Sequence, residues 1–238
     1  MKIIKGKKPV IPRLLIWGEP GVGKSTFASK FPKPVFLQAE SRTNHLDIHR
    51  VELSSWTECL MAMSEIVSSE YKTCVIDTLG SLEQLLLRHI EKEAGVADYM
   101  NIGGGFYKFR SPMMTEWRKF IKAANKIIDK GKNFIILSHC TVKQITLPGV
   151  EPFDKFVLAT ADNKTSDFIL SKMDLVGEAH FHLTVKKNSA NKNVGVSSGS
   201  RKLNFKLTPG NVNKQGVPIS NSKVPLDYES YKAILNPA

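Results

Sequence analysis

The sequence predicts an α/β protein, with three layers around a mostly parallel sheet and a C-terminal antiparallel hairpin extension. Three observations carry that prediction. Short apolar runs at Arg13–Trp17, Val35–Gln38, Thr73–Asp77 and Phe134–His139 have strand length and alternate with helical patterns. The first run feeds a glycine-rich loop, Gly18-Glu19-Pro20-Gly21-Val22-Gly23-Lys24-Ser25-Thr26, that opens a helix. From Leu175 onward the period changes to alternation, with Phe181, Leu183 and Val185 followed by Leu203, Phe205 and Leu207. Strands separated by helices pair in parallel with helices on both faces, whereas alternating runs joined by turn residues form a hairpin.

Each element has its own justification. Gly18, Gly23, Lys24 and Ser25 fit the P-loop pattern G-x-x-x-x-G-K-[ST]. Glycines let successive backbone N–H groups turn inward around a phosphate, and the helix opening near Lys24 points its positive end at the same anion. The pattern gives Lys24 to the β- and γ-phosphates and the Ser25 hydroxyl to Mg²⁺, so the chain binds a nucleoside triphosphate through residues 18–26. The helix stops by Pro32 and Pro34, and the next strand ends in Ala39-Glu40-Ser41. Glu40 stands where a parallel-sheet nucleotide site keeps a catalytic carboxylate, or else is an acid of a surface loop. Ile48 to Leu53 reads as a short strand, and Ser54 or Ser55 caps the helix carrying Leu60, Met63, Ile66 and Val67. Thr73-Cys74-Val75-Ile76-Asp77-Thr78 has the form of a Walker B strand, whose Asp77 holds the Mg²⁺ shell.

Ser81 to Glu93 is amphipathic, with Leu82, Leu85, Leu86 and Ile90 on one face. Gly95 to Arg110 combines Gly103-Gly104-Gly105 with Tyr99, Phe106, Tyr107, Lys108, Phe109 and Arg110. That composition suits a mobile loop that binds single strands, or an ordered loop whose aromatics enter the core. Ser111 and Pro112 cap a long helix with Trp117, Phe120, Ile121, Ala124, Ile127 and Ile128 inside and Lys119, Lys122, Lys126 and Lys130 outside. His139 ends the next strand, at the sheet edge that carries the P-loop. Residues 140–162 read as a long loop, and a helix follows around Ser166 to Lys172. The organisation is a basic leader at 1–12, a core with its hairpin at 13–208, and a tail at 209–238 holding at most a short helix.

The 238 residues are 42% hydrophobic, enough for a full core, and no apolar run reaches membrane-spanning length. Three cysteines without C-x-x-C spacing fit a reduced, cytoplasmic protein. The formal charge of +12 is uneven: residues 181–238 carry nine Lys/Arg against Asp227 and Glu229. That asymmetry points to a polyanion such as single-stranded DNA, and its plain alternative is a solvated lysine-rich surface. His45 and His49 lack companion ligands for a metal, and His180 and His182 are strand-surface residues.

The positions of the acids narrow the class. Asp77 is followed by Thr78 and not by the glutamate usual in AAA+ ATPases, while Phe36-Leu37-Gln38-Ala39-Glu40 puts an acid after the strand that succeeds the P-loop helix. From about Arg13 to Gly177, the sequence resembles phage-encoded RecA-like P-loop ATPases of the AAA-domain nucleotide-binding type, which include single-strand annealing proteins. The segments GEPGVGKST, FLQAE, TCVIDT and FIILSH carry that resemblance. It implies ATP and Mg²⁺ as ligands, Glu40 as the base that activates water, Asp77 as the metal acid and His139 as the γ-phosphate sensor. It implies two DNA-binding loops at Gly95–Arg110 and Cys140–Asp162, with Tyr107, Lys108, Arg110 and Lys143 among the contacts. It further implies a homo-oligomer, ring or filament, in the host cytoplasm where the protein is phage-encoded. Lys186 and Lys187 stand where such oligomers place a base that acts on the neighbouring subunit, or form a solvated charge pair, and no arginine stands beside them. The competing expectations are a helicase loader or assembly ATPase with a protein partner, and a small-molecule phosphotransferase. The last needs an arginine-rich lid, and seven arginines are spread along the whole chain.

Overall fold

The computed structural model describes residues 11–40, 46–187 and 193–235, with backbone alone for 183–187 and 193–198. Strands β1 (Arg13–Trp17), β2 (Pro34–Gln38), β3 (His49–Glu52), β4 (Thr73–Asp77) and β5 (Asn133–Ser138) come first in the chain. They are followed by β6 (Cys140–Leu147), β7 (Val150–Leu158), β8 (Leu175–Lys187), β9 (Asn193–Asn204), β10 (Lys214–Gln215) and β11 (Lys223–Pro225). The helices are α1 (Lys24–Ala28), α2 (Trp56–Ser68), α3 (Leu79–Ala94), α4 (Arg110–Asp129), α5 (Asn163–Lys172) and α6 (Tyr228–Leu235). The main sheet has the order β11-β9-β8-β1-β5-β4-β2-β3, with β10 beside β8. β1 to β5 and the start of β8 run parallel, and β9, β10 and β11 are antiparallel additions.

Strands β1, β2, β4 and β5 are apolar along most of their length because both faces are covered. Leu15, Trp17, Cys74 and Ile76 face one cluster, formed with α2, α3, α4 and α5. Leu14, Ile16 and Val75 face the other, with Phe27 and Phe31 at α1 and Tyr231 and Ile234 of α6. These are three layers around a mostly parallel sheet, as the sequence predicts, with the antiparallel hairpin β8–β9 extending it.

Several boundaries follow from local hydrogen bonds. Ser55 caps α2 by accepting from Glu58 N, while Glu58 accepts from Ser54 N at 2.7 Å, a reciprocal arrangement that satisfies two end donors. α5 begins at Asn163 and not near Ser166, because Asp162 accepts from Lys164 N at 2.8 Å. Ser111 and Pro112 do not cap α4. Its helix starts at Arg110, and Pro112 falls in the first turn, where a missing N–H costs nothing.

Two regions differ from expectation more widely. Residues 140–158 are not a loop but the hairpin β6–β7, paired from Cys140↔Leu158 to Leu147↔Val150. Most of its residues stay exposed or half-buried, so neither face selects an apolar alternation that would mark it. In the β8–β9 hairpin, Asn193 to Gly199 belong to the strand rather than to the connection, and Leu207 lies beyond it, 65% exposed. Past Pro209 two short strands accompany the terminal helix.

Candidate nucleotide site

Parallel strands bring their C-terminal ends to one edge, and the register sets which residues meet there. Asp77 lies level with Gln38 on one side and Leu137 on the other, and Trp17 lies level with Ser138. Glu40 therefore follows two residues above Gln38, His139 two above Leu137, and the P-loop begins immediately after Trp17. Pro20, Gly21, Gly23, Lys24, Ser25, Thr26, Glu40, Asp77, Thr78, His139 and Arg201 line one cavity of about 440 Å³. That volume is of the size small-molecule sites use.

Lys24 is buried, and its Nζ donates to the carbonyl oxygens of Gly18 and Glu19 at 2.9 Å. His139 Nδ1 lies 3.4 Å from the same Nζ. Burial lowers the Lys24 pKa to about 8 against the nearby charges of Cys140, Asp77 and Glu19. Ser25 Oγ donates to Asp77 Oδ2 at 2.9 Å. Asp77 is 8% exposed, and burial raises its carboxyl pKa, opposed by the Ser25 hydrogen bond and by Lys24. Two hard oxygen donors, one of them a buried carboxylate in need of positive charge, fit a magnesium ion. Glu40 accepts a hydrogen bond from Ser81 Oγ in the first turn of α3, and Ser81 is 3.0 Å from Thr78 Oγ1.

The expected site residues thus converge, apart from three that line no part of this cavity. Glu19 contributes its backbone carbonyl, Gly18 likewise, and Val22 is buried in the core beneath the loop. Arg201, Thr78 and Ser81 were not singled out in the sequence. Thr78 and Ser81 follow the Walker B acid closely enough to be suspected, but Arg201 has no local signal at all. It meets the P-loop only through the hairpin.

The two candidate DNA segments lie outside this cavity. In the first, Phe109 is buried against Tyr99, with ring centroids 4.8 Å apart, while Phe106 is 93% and Tyr107 54% exposed. The segment therefore sends Phe109 into the core and leaves Phe106 and Tyr107 at the surface. Arg110 pairs with Asp162 at 2.8 Å and lies 4.3 Å from the Tyr107 ring centroid, and Lys108 Nζ donates to Gly103 O. In the second segment Lys143 donates to Asn163 Oδ1. Lys186 and Lys187 end β8, and their side chains lie outside the described residues, as does His45. Cys59 and Cys74 are buried and Cys140 half-buried, all as free thiols. Among the described residues no helix is long and apolar enough to cross a membrane.

The profile of the AAA-domain family matches residues 12–216, most of the chain. The chain belongs to the AAA-domain family. The match spans every element that builds the cavity, so this AAA domain is a P-loop ATPase domain. No relative is found among curated proteins. Among solved structures, a KaiC-like protein from the hyperthermophilic archaeon Pyrococcus horikoshii is similar at a TM-score of 0.44 and 14% identity. The similarity covers 91% of this chain and 86% of that one.

Proposed function

We propose that this AAA domain binds ATP with Mg²⁺, hydrolyses it, and couples the cycle to single-stranded DNA in recombination, annealing or replication. The observation that carries the reading is the convergence of Lys24, the Ser25–Asp77 pair, Glu40 and His139 on one cavity. The Lys24 ammonium would leave the carbonyl oxygens of Gly18 and Glu19 for the β- and γ-phosphates. Ser25 and Asp77 would hold Mg²⁺, which when bound neutralises phosphate charge. Glu40 takes the proton of a water that attacks the γ-phosphorus in line, as the bond to the bridging oxygen breaks and ADP leaves. His139 would report the γ-phosphate through its position beside Lys24.

The DNA part of the reading rests on the exposed Phe106 and Tyr107 beside Lys108, and on the net charge of +12. A phage origin, action in the host cytoplasm and assembly into a ring or filament belong to the same proposal, with Lys186 and Lys187 as candidate bases toward a neighbour. The exposed apolar residues Leu147 and Val150 at the tip of β6–β7 favour a second reading, a loader or assembly ATPase with a protein partner.

Phosphate release with and without single-stranded DNA tests the proposal. Lys24→Ala is expected to abolish turnover. Glu40→Gln is expected to keep ATP binding and lose turnover by about 10²- to 10⁴-fold; turnover at the wild-type rate would place the base elsewhere. Phe106→Ala should weaken DNA binding by roughly 1–3 kcal/mol while leaving basal hydrolysis unchanged. Absence of both DNA binding and DNA stimulation in the wild type would refute the DNA reading and leave the protein-partner reading.

A further inference from the structure

We propose that Arg201 is the arginine of this site and acts in cis, its guanidinium binding the polyphosphate held by its own chain's P-loop. This rests on the ATP reading above and adds to it the group that lysines of a neighbouring subunit were expected to supply.

Two observations place Arg201 at the phosphates. It lines the cavity together with Lys24, Glu40, Asp77 and His139, although 177 positions separate it from Lys24 along the chain. Its Nη1 lies so close to the P-loop that a Cβ on Gly23 would stand 2.6 Å from it. Gly23 itself sits at φ +99°, so the turn requires glycine there, and the absence of a side chain leaves the space that the guanidinium enters.

The hairpin supplies the direction. β8 begins beside β1 and continues outward to pair with β9. The β8–β9 register shifts between Phe181 and Leu183, and Arg201 is the partner of Phe181, at the edge of that irregularity. Opposite Leu183 stands Ser197, so β9 carries extra residues there, and among them Gly199 adopts φ +76°. A bulge bends its strand and re-aims the neighbouring side chain. Beyond the bulge the Phe181 ring lies 5.6 Å from the Arg201 guanidinium carbon, supporting the side chain from the hairpin side. The planar fork is thus presented to the cavity by a pre-formed strand, with no second subunit needed. An arginine so placed exchanges no proton. It stabilises charge on the phosphoryl oxygens as the bond to the bridging oxygen breaks.

The test compares phosphate release by the wild type, Arg201→Ala, Arg201→Lys and Lys24→Ala, with binding of fluorescent ATP and ADP analogues and melting curves alongside. Arg201→Ala is expected to lose turnover on the order of 10³-fold. Mixing it with Lys24→Ala should leave that loss in place, because the intact lysine and the intact arginine then sit on different chains. Recovery on mixing would put Arg201 in trans and overturn the assignment; so would wild-type turnover by Arg201→Ala. If Arg201→Ala does not fold, Arg201→Lys carries the test, since it keeps stem and charge but loses the fork. It should lose at least about tenfold in turnover, and full turnover would overturn the proposal. A wild type that hydrolyses ATP while the Arg201 variants match it removes only this inference; a wild type that binds no ATP removes the nucleotide reading as well.

Discussion

At the scale of single residues, Lys24 shows how burial and function are linked. Its ammonium is held by two backbone carbonyl groups, and burial lowers its pKa to about 8 from the usual 10.5. Only the charged form attracts phosphate. As pH rises through about 8 the ligand-free lysine loses its proton, and binding ATP must restore it. Affinity for ATP should then fall by about tenfold per pH unit above that pKa and be insensitive to this group below it. Stability of the ligand-free protein moves the other way. The folded pKa lies below the unfolded one, so the unfolded chain holds more protons between them, and stability rises as pH climbs from about 8 toward 10.5. Calorimetric titration with ATP across that range measures the first effect; a flat affinity would mean that Lys24 stays charged. The role of Lys24 was legible because the P-loop is a local motif, whereas its present partners were not.

At the scale of elements, α3 joins the candidate catalytic acid to the segment that follows the β6–β7 hairpin. Ser81 in its first turn donates to Glu40. Two residues on, the fully buried Glu83 accepts from the backbone N–H groups of Ala161 and Asp162, and Asp162 pairs with Arg110 beside Tyr107. Gly80 lets the helix approach closely enough that a Cβ there would stand 2.6 Å from Ala159 O. Gly80→Ala should cost about 1–3 kcal/mol, because the clash is with backbone, and denaturant midpoints would show it. An unchanged midpoint would mean that the chain around Ala159 yields freely. The period of α3 was readable from Leu82, Leu85, Leu86 and Ile90, which recur on the buried face. Its polar tethers were not, since each joins residues about 40 or 80 positions apart.

At the scale of the whole molecule, the C-terminal residues close the layer over the P-loop helix. Tyr231 is 4% exposed, and its ring centroid lies 5.9 Å from Phe27, 5.5 Å from Phe31 and 6.3 Å from Phe205. Burial raises the pKa of its hydroxyl, as an apolar setting does for any group that would ionise to an anion. Tyr231→Ala should cost roughly 3 kcal/mol, the usual scale for removing a buried aromatic, and should lower the melting temperature with or without nucleotide. A variant that melts with the wild type would show that α6 is dispensable to the core. Composition beyond Pro209 gave little reason to expect this, because a short helix with two short strands carries too little periodicity to stand out.

What the sequence determined by itself is local: the strand-sized apolar runs, the glycine loop, and acids or a histidine at the ends of three strands. In a parallel sheet those ends share an edge, so Glu40, Asp77 and His139 could be assigned to one site before any distance was known. Tertiary structure alone decided the rest. The β6–β7 hairpin has no solvent-to-core contrast to imprint a period on its sequence. Arg201 reaches Gly23 through a register shift and a bulge, features of strand pairing that no window of neighbouring residues records.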